Sequence, residues 1–256
     1  MVELSTDGPV ALVTLNRPQA LNAISGAVAD ELASACSEVA AQSNIWVMIL
    51  RAGGEKAFCV GADLKERSSF TLEDFYTNRK QMRAMFTALR TLPQPTIAAV
   101  FGFALGGGLE LALSCDLIVA AEGTTLGLPE VRVGLLPAGG GTQLLARRIG
   151  SGRAKELIFT GSRFDADEGR EMGLVTRVVP RAELDATALE IARDICRSSP
   201  LAVREAKRAV DVGFGVPLEE GIEIEHSGWV RVIASDDRRE GIAAFNEKRE
   251  PRWQNR

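Results

Sequence analysis

Apolar residues in the first two thirds of the chain come in short, nearly unbroken runs. VALVTLN (10–16), WVMILRA (46–52), TIAAVFG (96–102) and DLIVAA (116–121) each read as a buried strand. None alternates strictly with polar residues, which suits a sheet covered on both faces. Between the runs the period lengthens. Residues 25–42 set Val28, Leu32, Ala35, Cys36 and Val39 at helical spacing, with Ser25 a candidate N-cap. Residues 71–91 do the same with Phe75, Met82, Met85, Phe86 and Leu89. Thr71 caps this second helix, and Glu73 and Asp74 face the positive end of its dipole. GGGLELALS reads as a helix opening on the glycines 106–108, and another runs from Gly141 to about Ile149. Segments 154–159, 166–172, 181–197, 200–212, 217–233 and 238–249 also read as helical. The pattern predicts an α/β core followed by a helical tail. No linker or solenoid-length repeat interrupts it, so a single domain is expected, with a core over 1–199 and a helical region over 200–256.

Composition narrows the classes. Of 256 residues, 46% are apolar and 25% charged, which excludes long disorder, collagen-like repeats and a disulfide-built mini-protein. Thirty basic against thirty-four acidic residues give a net charge of −4, which argues against nucleic acid or an anionic membrane as partner. No apolar run reaches the ~18 residues of a spanning helix. The opening MVELSTDGPV lacks the basic and apolar parts of a signal peptide, so a cytoplasmic protein is expected. Cys36, Cys59, Cys115 and Cys196 have no CxxC spacing and apolar neighbours, so they are expected to be reduced and buried. His226 is the only histidine, which excludes a His-rich metal site. Proton transfer would fall to carboxylates.

Familiar signatures are absent: there is no GxSxG elbow, no GxxxxGK[ST] phosphate loop and no GxGxxG after any expected strand. Three other segments stand out. In GFALGGGLELALSCD (102–116) a glycine triplet opens a helix, where free N–H groups can hold a phosphate or an oxyanion. The same glycines could simply allow close packing. Glu110 lies in the first turn among leucines and an alanine; such an acid either caps the dipole or works chemically, and burial would raise its pKa. In LGLPEVRVGLLPAGGGTQLL (126–145), Glu130 follows Pro129 and a second triplet, Gly139 to Gly141, precedes a helix. Glu130 reads either as an Arg-paired or exposed loop acid, or as the second of a carboxylate pair. In KAFCVGADLKE (56–66), Gly61 and Ala62 follow a strand end, where small residues let a ligand approach the backbone or merely make a turn. Asp63 reads as a structural cap.

In this order and spacing, FCVGADLKE, ALGGGLELALSCD and LGLPEVRVGLLPAGGGTQ closely resemble the enoyl-CoA hydratase/isomerase (crotonase) superfamily. The likeness runs from VTLNRPQALNA to GIAAFNEKREPRW and is strongest to bacterial enoyl-CoA hydratases and the methylglutaconyl-CoA hydratase branch. It implies a crotonase-type spiral of ββα units with C-terminal helices that form homotrimers, usually paired into hexamers. It implies an acyl-CoA substrate whose thioester carbonyl sits between the N–H groups of Ala62 and Gly107. The two catalytic glutamates fall on Glu110 and Glu130. Retention of both implies a hydratase converting a 2-enoyl-CoA into a 3-hydroxyacyl-CoA, in fatty-acid or branched-chain acyl-CoA breakdown. A methylglutaconyl-type hydratase and an isomerase are the alternatives within the family. No cofactor is implied beyond the coenzyme A of the substrate, and no metal. CoA contacts carry over to Ala20, Ala23, Gly61, Ala62, Asp63 and Leu64, with Phe245 and Lys248 reaching a neighbouring subunit's CoA and Arg17 a weaker candidate. The basic residues among these also read as a solvated face. Phe70, Phe75, Met82 and Met85 are candidates to line or cover the acyl pocket, although such a helix face also serves as core. Arg79 and Arg132 are near enough in sequence to meet a second carboxylate on the substrate.

Two rivals from other classes remain: a non-catalytic acyl-CoA binder and an RNA-binding protein. The intact glutamates weigh against the first. Arg79, Lys80, Arg83 and Arg90 share their helix with Glu73 and Asp74, a mixed face rather than a basic stripe, which weighs against the second.

Overall fold

The unbroken apolar runs become the central strands of a six-stranded sheet. The computed structural model describes residues 1–256. β1 (Val2–Asp7) and β2 (Val10–Leu15) form an antiparallel hairpin. A 3₁₀ turn at Pro18–Ala20 leads to α1 (Gly26–Ala41), where Ser25 Oγ accepts from the Val28 N–H at 3.2 Å. β3 (Val47–Ala52) and β4 (Ala57–Cys59) follow, then a one-turn α2 (Leu64–Arg67) and the long α3 (Leu72–Arg90). Thr71 and Asp74 close a capping box on α3, as the pairing of a hydroxyl with an acid three residues on allows. Next come β5 (Thr96–Val100), β6 (Phe103–Leu105) and α4 (Gly107–Leu113). β7 (Leu117–Ala121) and β8 (Thr125–Gly127) are followed by a 3₁₀ turn at Pro129–Val133, then α5 (Gly141–Ile149) and α6 (Ser151–Thr160). β9 (Arg163–Asp165), α7 (Ala166–Glu171) and β10 (Arg177–Val179) complete the sheets. α8 (Leu184–Cys196), α9 (Pro200–Gly213), α10 (Leu218–Ile233) and α11 (Asp236–Glu247) form the helical tail.

The first sheet has the order β1-β2-β3-β5-β7-β10, and the second β4-β6-β8-β9. Each repeat therefore gives one strand to each sheet before its helix: β3 and β4, then β5 and β6, then β7 and β8. Pairing along β3-β5-β7 and along β4-β6-β8 is parallel, so each turn of the chain adds one strand beside the last. This is the spiral of ββα units that the motifs imply.

Both faces of the first sheet are covered. Along β3 and β5, Met48, Leu50, Ala98 and Val100 enter the main core with α1, α3 and α4. Val47, Ile49, Ile97 and Ala99 point the other way, against Leu184, Ala188 and Ile191 of α8. That two-sided burial is why these strands read as continuous rather than alternating. The tail is tethered by polar contacts: Lys207 Nζ on α9 pairs with Asp116 at 2.7 Å and donates to the Gln94 carbonyl at 3.0 Å.

Several strands were not anticipated from the pattern. β1 is an edge strand, mostly exposed, with polar residues at most positions. β6, β8, β9 and β10 are three residues each, too short to show a period. The helix expected at 181–197 begins as a 3₁₀ turn, and that at 154–159 starts earlier, at Ser151. No helix is long and apolar enough to cross a membrane. Cys36, Cys59 and Cys115 are buried free thiols, pushed up to about 12 by desolvation, while Cys196 is only half-buried.

Candidate active site

The second sheet ends at one cavity of about 450 Å³. Its walls come from the ends of β4 and β6, from α3, from the start of α4, and from the segment 129–139. Gly61, Ala62, Gly106, Gly107, Glu110 and Glu130 all line it. Three segments far apart in sequence thus meet because the spiral stacks the β4 and β6 ends side by side.

The backbone at Gly61–Ala62 lies against the start of α4. A Cβ placed on Gly107 would stand 3.7 Å from the Ala62 nitrogen. Ile24 donates to the Gly61 carbonyl at 2.8 Å and accepts from the Asp63 N–H at 3.0 Å, so the chain is pinned on both sides of Ala62. The Ala62 and Gly107 N–H groups donate to no backbone carbonyl. Gly107 is the first residue of α4, where an N–H has no intrahelical partner. The packing reading of the triplet also holds, at Gly108: a Cβ there would meet the Cys59 carbonyl oxygen at 2.0 Å. Gly108 lets the helix sit on β4, and Gly107 is left facing the cavity.

Glu110 is 3% exposed. Its Oε1 accepts from the Gly139 N–H at 2.7 Å and the Gly141 N–H at 2.8 Å, so the second triplet grips the acid of the first helix. A Cβ on Gly139 would come 2.7 Å from Glu110 Oε2, which is why the close approach needs glycine. Burial raises the Glu110 pKa against these hydrogen bonds and the nearby Arg79 charge. Glu130 sits on the 3₁₀ turn, half-buried, and its Oε2 is shielded from solvent without a protein partner. Desolvation, with the Glu110 charge adding to it, pushes Glu130 up to about 7. Of the alternatives for Glu130, an Arg-paired acid is excluded by the absence of any ion pair at this residue.

The remaining expected positions divide. Leu64 lines the cavity, as do Phe75 and Met82. Met85 is fully buried core, and Phe70 stacks edge-on against Phe75 at 5.4 Å without lining the cavity. Asp63 caps α2 through the Lys65 and Glu66 N–H groups and pairs with Arg17 at 2.6 Å. Arg17 also holds the Ala23 carbonyl, so both side chains are engaged within the fold. Ala20 and Ala23 lie before α1 and do not line the cavity. Phe245, 84% exposed on α11, and Lys248, at the left-handed C-cap of that helix, do not reach it from their own chain. Arg79 and Arg132 are both in its wall, joined by Arg67, Asn78 and Arg163, which were not anticipated. Asn78 had one signal: it falls on the α3 face that carries Phe75, Met82 and Phe86.

A larger groove of about 1100 Å³ lies between α3, α5 and α9. It shares Arg79, Phe86, Ala138 and Gly139 with the cavity but contains neither Glu110 nor Glu130, nor the free N–H groups of Ala62 and Gly107.

Fold and site together define an α/β enzyme of the crotonase type, with two carboxyl groups beside two unused backbone donors. The family model for enoyl-CoA hydratase/isomerase matches residues 5–256, and the chain belongs to that family. A Bacillus subtilis protein, YngF, named for enoyl-CoA hydratase/isomerase, is 47% identical over 240 residues, covering 94% of this chain and 92% of the relative. The mouse enoyl-CoA hydratase domain-containing protein 2, mitochondrial, is 42% identical over 245 residues, covering 94% and 83%. The crystal structure of an enoyl-CoA hydratase from Bacillus anthracis superposes with a TM-score of 0.97 at 43% identity, covering 100% of this chain and 99% of that one.

Proposed function

We propose that this enzyme adds water across the 2,3 double bond of a 2-enoyl-CoA thioester. The observation that carries the reading is the convergence of Glu110, Glu130 and the free Ala62 and Gly107 N–H groups on one cavity. The thioester oxygen accepts from those two N–H groups, which stabilise the charge it gains as the enolate forms. Each such donor contributes about 3–4 kcal/mol to lowering the barrier, and the dipole of α4 adds to it at Gly107. Water oxygen bonds to C3 and its proton passes to Glu110. C2 takes a proton from Glu130, and the π electrons of the double bond become the C2–H bond. The product is the 3-hydroxyacyl thioester, and a proton returned from Glu110 to Glu130 resets the site.

The different surroundings of the two acids support this division. Burial raises the Glu110 pKa, and two backbone N–H bonds oppose it by favouring the ionised form that a base requires. Glu130 has an unpartnered buried oxygen and a pKa near 7, as an acid at neutral pH requires. Hydration of crotonyl-CoA tests the reading. Wild type should turn over, and Glu110→Gln should lose about 10²–10⁴-fold in kcat with thioester binding retained. Equal rates in the two would overturn it.

An assembly through the tail belongs to the same reading. Val210, Leu218, Ile222, Trp229 and Phe245 are exposed on α9, α10 and α11, with Phe214 exposed at the C-cap of α9. These large apolar side chains are left uncovered by the chain itself, as those of a subunit interface of a homotrimer or hexamer would be.

A further inference from the structure

Two polar side chains in the cavity are not used by the hydration step. Arg67 closes α2 and Asn78 lies on α3, and both line the cavity. Arg67 Nη2 donates to Asn78 Oδ1 at 2.9 Å, which occupies the only acceptor of the pair. Donors are left over. Arg67 Nε and Asn78 Nδ2 are both shielded from solvent and meet no protein acceptor. Asn78 as a whole is 3% exposed. Only four buried side-chain polar atoms in the chain lack a partner, and three of them, these two and Glu130 Oε2, belong to residues of this one cavity. The large majority of buried polar side-chain atoms in folded proteins have a partner, in the protein, in water or in a ligand, so three without one in a single cavity mark a place where a bound group can supply it.

The charges point the same way. Arg67, Arg79, Arg132 and Arg163 line the cavity, against two carboxyls, Glu110 and Glu130. Glu110 is held by Gly139 and Gly141, and none of the four guanidinium groups is in an ion pair. Arg132 spends its Nε on the Thr160 carbonyl at 2.9 Å. The Arg67–Asn78 pair is therefore the place where donors are both buried and unspent. A hydrocarbon chain entering the cavity would bury them further and satisfy neither. A carboxylate has the lone pairs to accept from both at once.

We propose that Arg67 and Asn78 form a subsite for an oxygen acceptor on the acyl group, so that the enzyme selects 2-enoyl thioesters carrying a carboxylate beyond the double bond. This rests on the reading that the cavity holds the enoyl thioester. Phe75, Met82 and Phe86, on the same face of α3 as Asn78, supply the apolar wall along which the chain reaches the pair. Arg67 and Asn78 are specificity-determining residues, distinct from the two carboxyls that handle protons.

The test compares glutaconyl-CoA with pent-2-enoyl-CoA as substrates. It also compares the unreactive glutaryl-CoA with pentanoyl-CoA by calorimetry. Wild type should favour the carboxylated member of each pair, by about 10²-fold in kcat/KM, because a site built to pair a polar group discriminates strongly against its absence. Arg67→Met should bring both ratios close to one, mainly through KM, and Arg67→Lys should restore part of the preference. Asn78→Leu should reduce the ratios in the same direction, and Arg67→Met decides the matter if the buried Asn78 variant does not fold. A wild type without preference in either pair would overturn the proposal. So would an Arg67→Met variant that weakens both members equally, which would place Arg67 on the CoA moiety. If neither enoyl thioester is hydrated but glutaryl-CoA outbinds pentanoyl-CoA, the hydratase reading fails and the subsite stands.

Discussion

Burial first, and then the charge of Glu110, raises the pKa of Glu130 in the cavity the two acids share. The pair is asymmetric: Glu110 is nearly fully buried but has two backbone donors, while Glu130 is half-buried and has an oxygen with none. The same residue type thus stands in two different environments, the difference on which the proposed roles of base and acid rest.

A bell-shaped pH dependence follows. The acid form of Glu130 is present below about 7, so kcat/KM should fall as the pH rises past that value. The base form of Glu110 is lost at low pH, and its pKa too is raised above the ordinary carboxylate value, which sets the acid limb. Because the two groups interact, the two limbs belong to the pair rather than to single residues. Initial rates on an enoyl-CoA from about pH 5 to 9 check this. A residual rate in Glu130→Gln that kept the alkaline limb would assign the limb to another group. Deuterium wash-in at C2 should likewise be slowed by orders of magnitude in that variant, and wash-in at the wild-type rate would mean that Glu130 is not the proton carrier.

Glu130 should also lower stability. Its pKa in the folded chain, about 7, is above the ordinary 4.5, so the folded state binds more protons between those values. Stability should therefore fall as the pH rises through that window and level off above it. Glu130→Gln removes this dependence and should raise stability at pH 8 by about 1 kcal/mol, reduced by solvent screening from the full linkage value. Thermal melts of both proteins at about pH 5 and 8 measure the difference. An unchanged or larger pH slope in the variant would contradict the burial argument.

Substitution of Gly139 should affect stability and activity together. A methyl group there would lie 2.4 Å from the Phe86 ring and 2.7 Å from Glu110 Oε2. Gly139→Ala should cost about 1–3 kcal/mol by overpacking and displace the Glu110 carboxylate, with a loss of kcat larger than the loss of folded protein. Gly152→Ala is the control: it lies in α6 with nothing within 4 Å, so it should be neutral or stabilising by up to about 1 kcal/mol. Rates normalised to folded fraction that are equal in the two variants would remove Gly139 from the site.

The sequence exposes some of this site and hides the rest, for physical reasons. Glu110 stands out because an acid amid Leu109, Leu111 and Leu113 breaks the pattern of a buried helix. The glycine triplets stand out by composition, yet their link does not: Gly139 reaches Glu110 from 29 residues away, through a register set only by the spiral. Arg67 reads as a surface residue in a charged turn, because its neighbours Lys65 and Glu66 are charged and its burial comes from α3 folding over it. The three-residue strands are legible only as consequences of the parallel stacking that pairs them. Phe245 and Lys248 match the family pattern but lie away from their own chain's cavity, which a sequence match along one chain cannot distinguish from a local contact.

Those last two residues supply a test of assembly. If the exposed apolar side chains of α9, α10 and α11 form a subunit interface, Phe214→Glu with Trp229→Glu should dissociate it, because a buried charge at each of two positions is costly. Light scattering after size-exclusion chromatography should then show wild type as a trimer or hexamer and the double variant as a monomer. Each monomer keeps the cavity, the Glu110–Gly139 bond and the free N–H groups, because every one of these lies within a single chain. It loses any contribution of a neighbour's Phe245 and Lys248 to the bound CoA. The monomer should therefore show a raised KM for the thioester and a smaller change in kcat. A monomeric wild type, or a dissociated variant with an unaltered KM, would leave Phe245 and Lys248 without a part in binding.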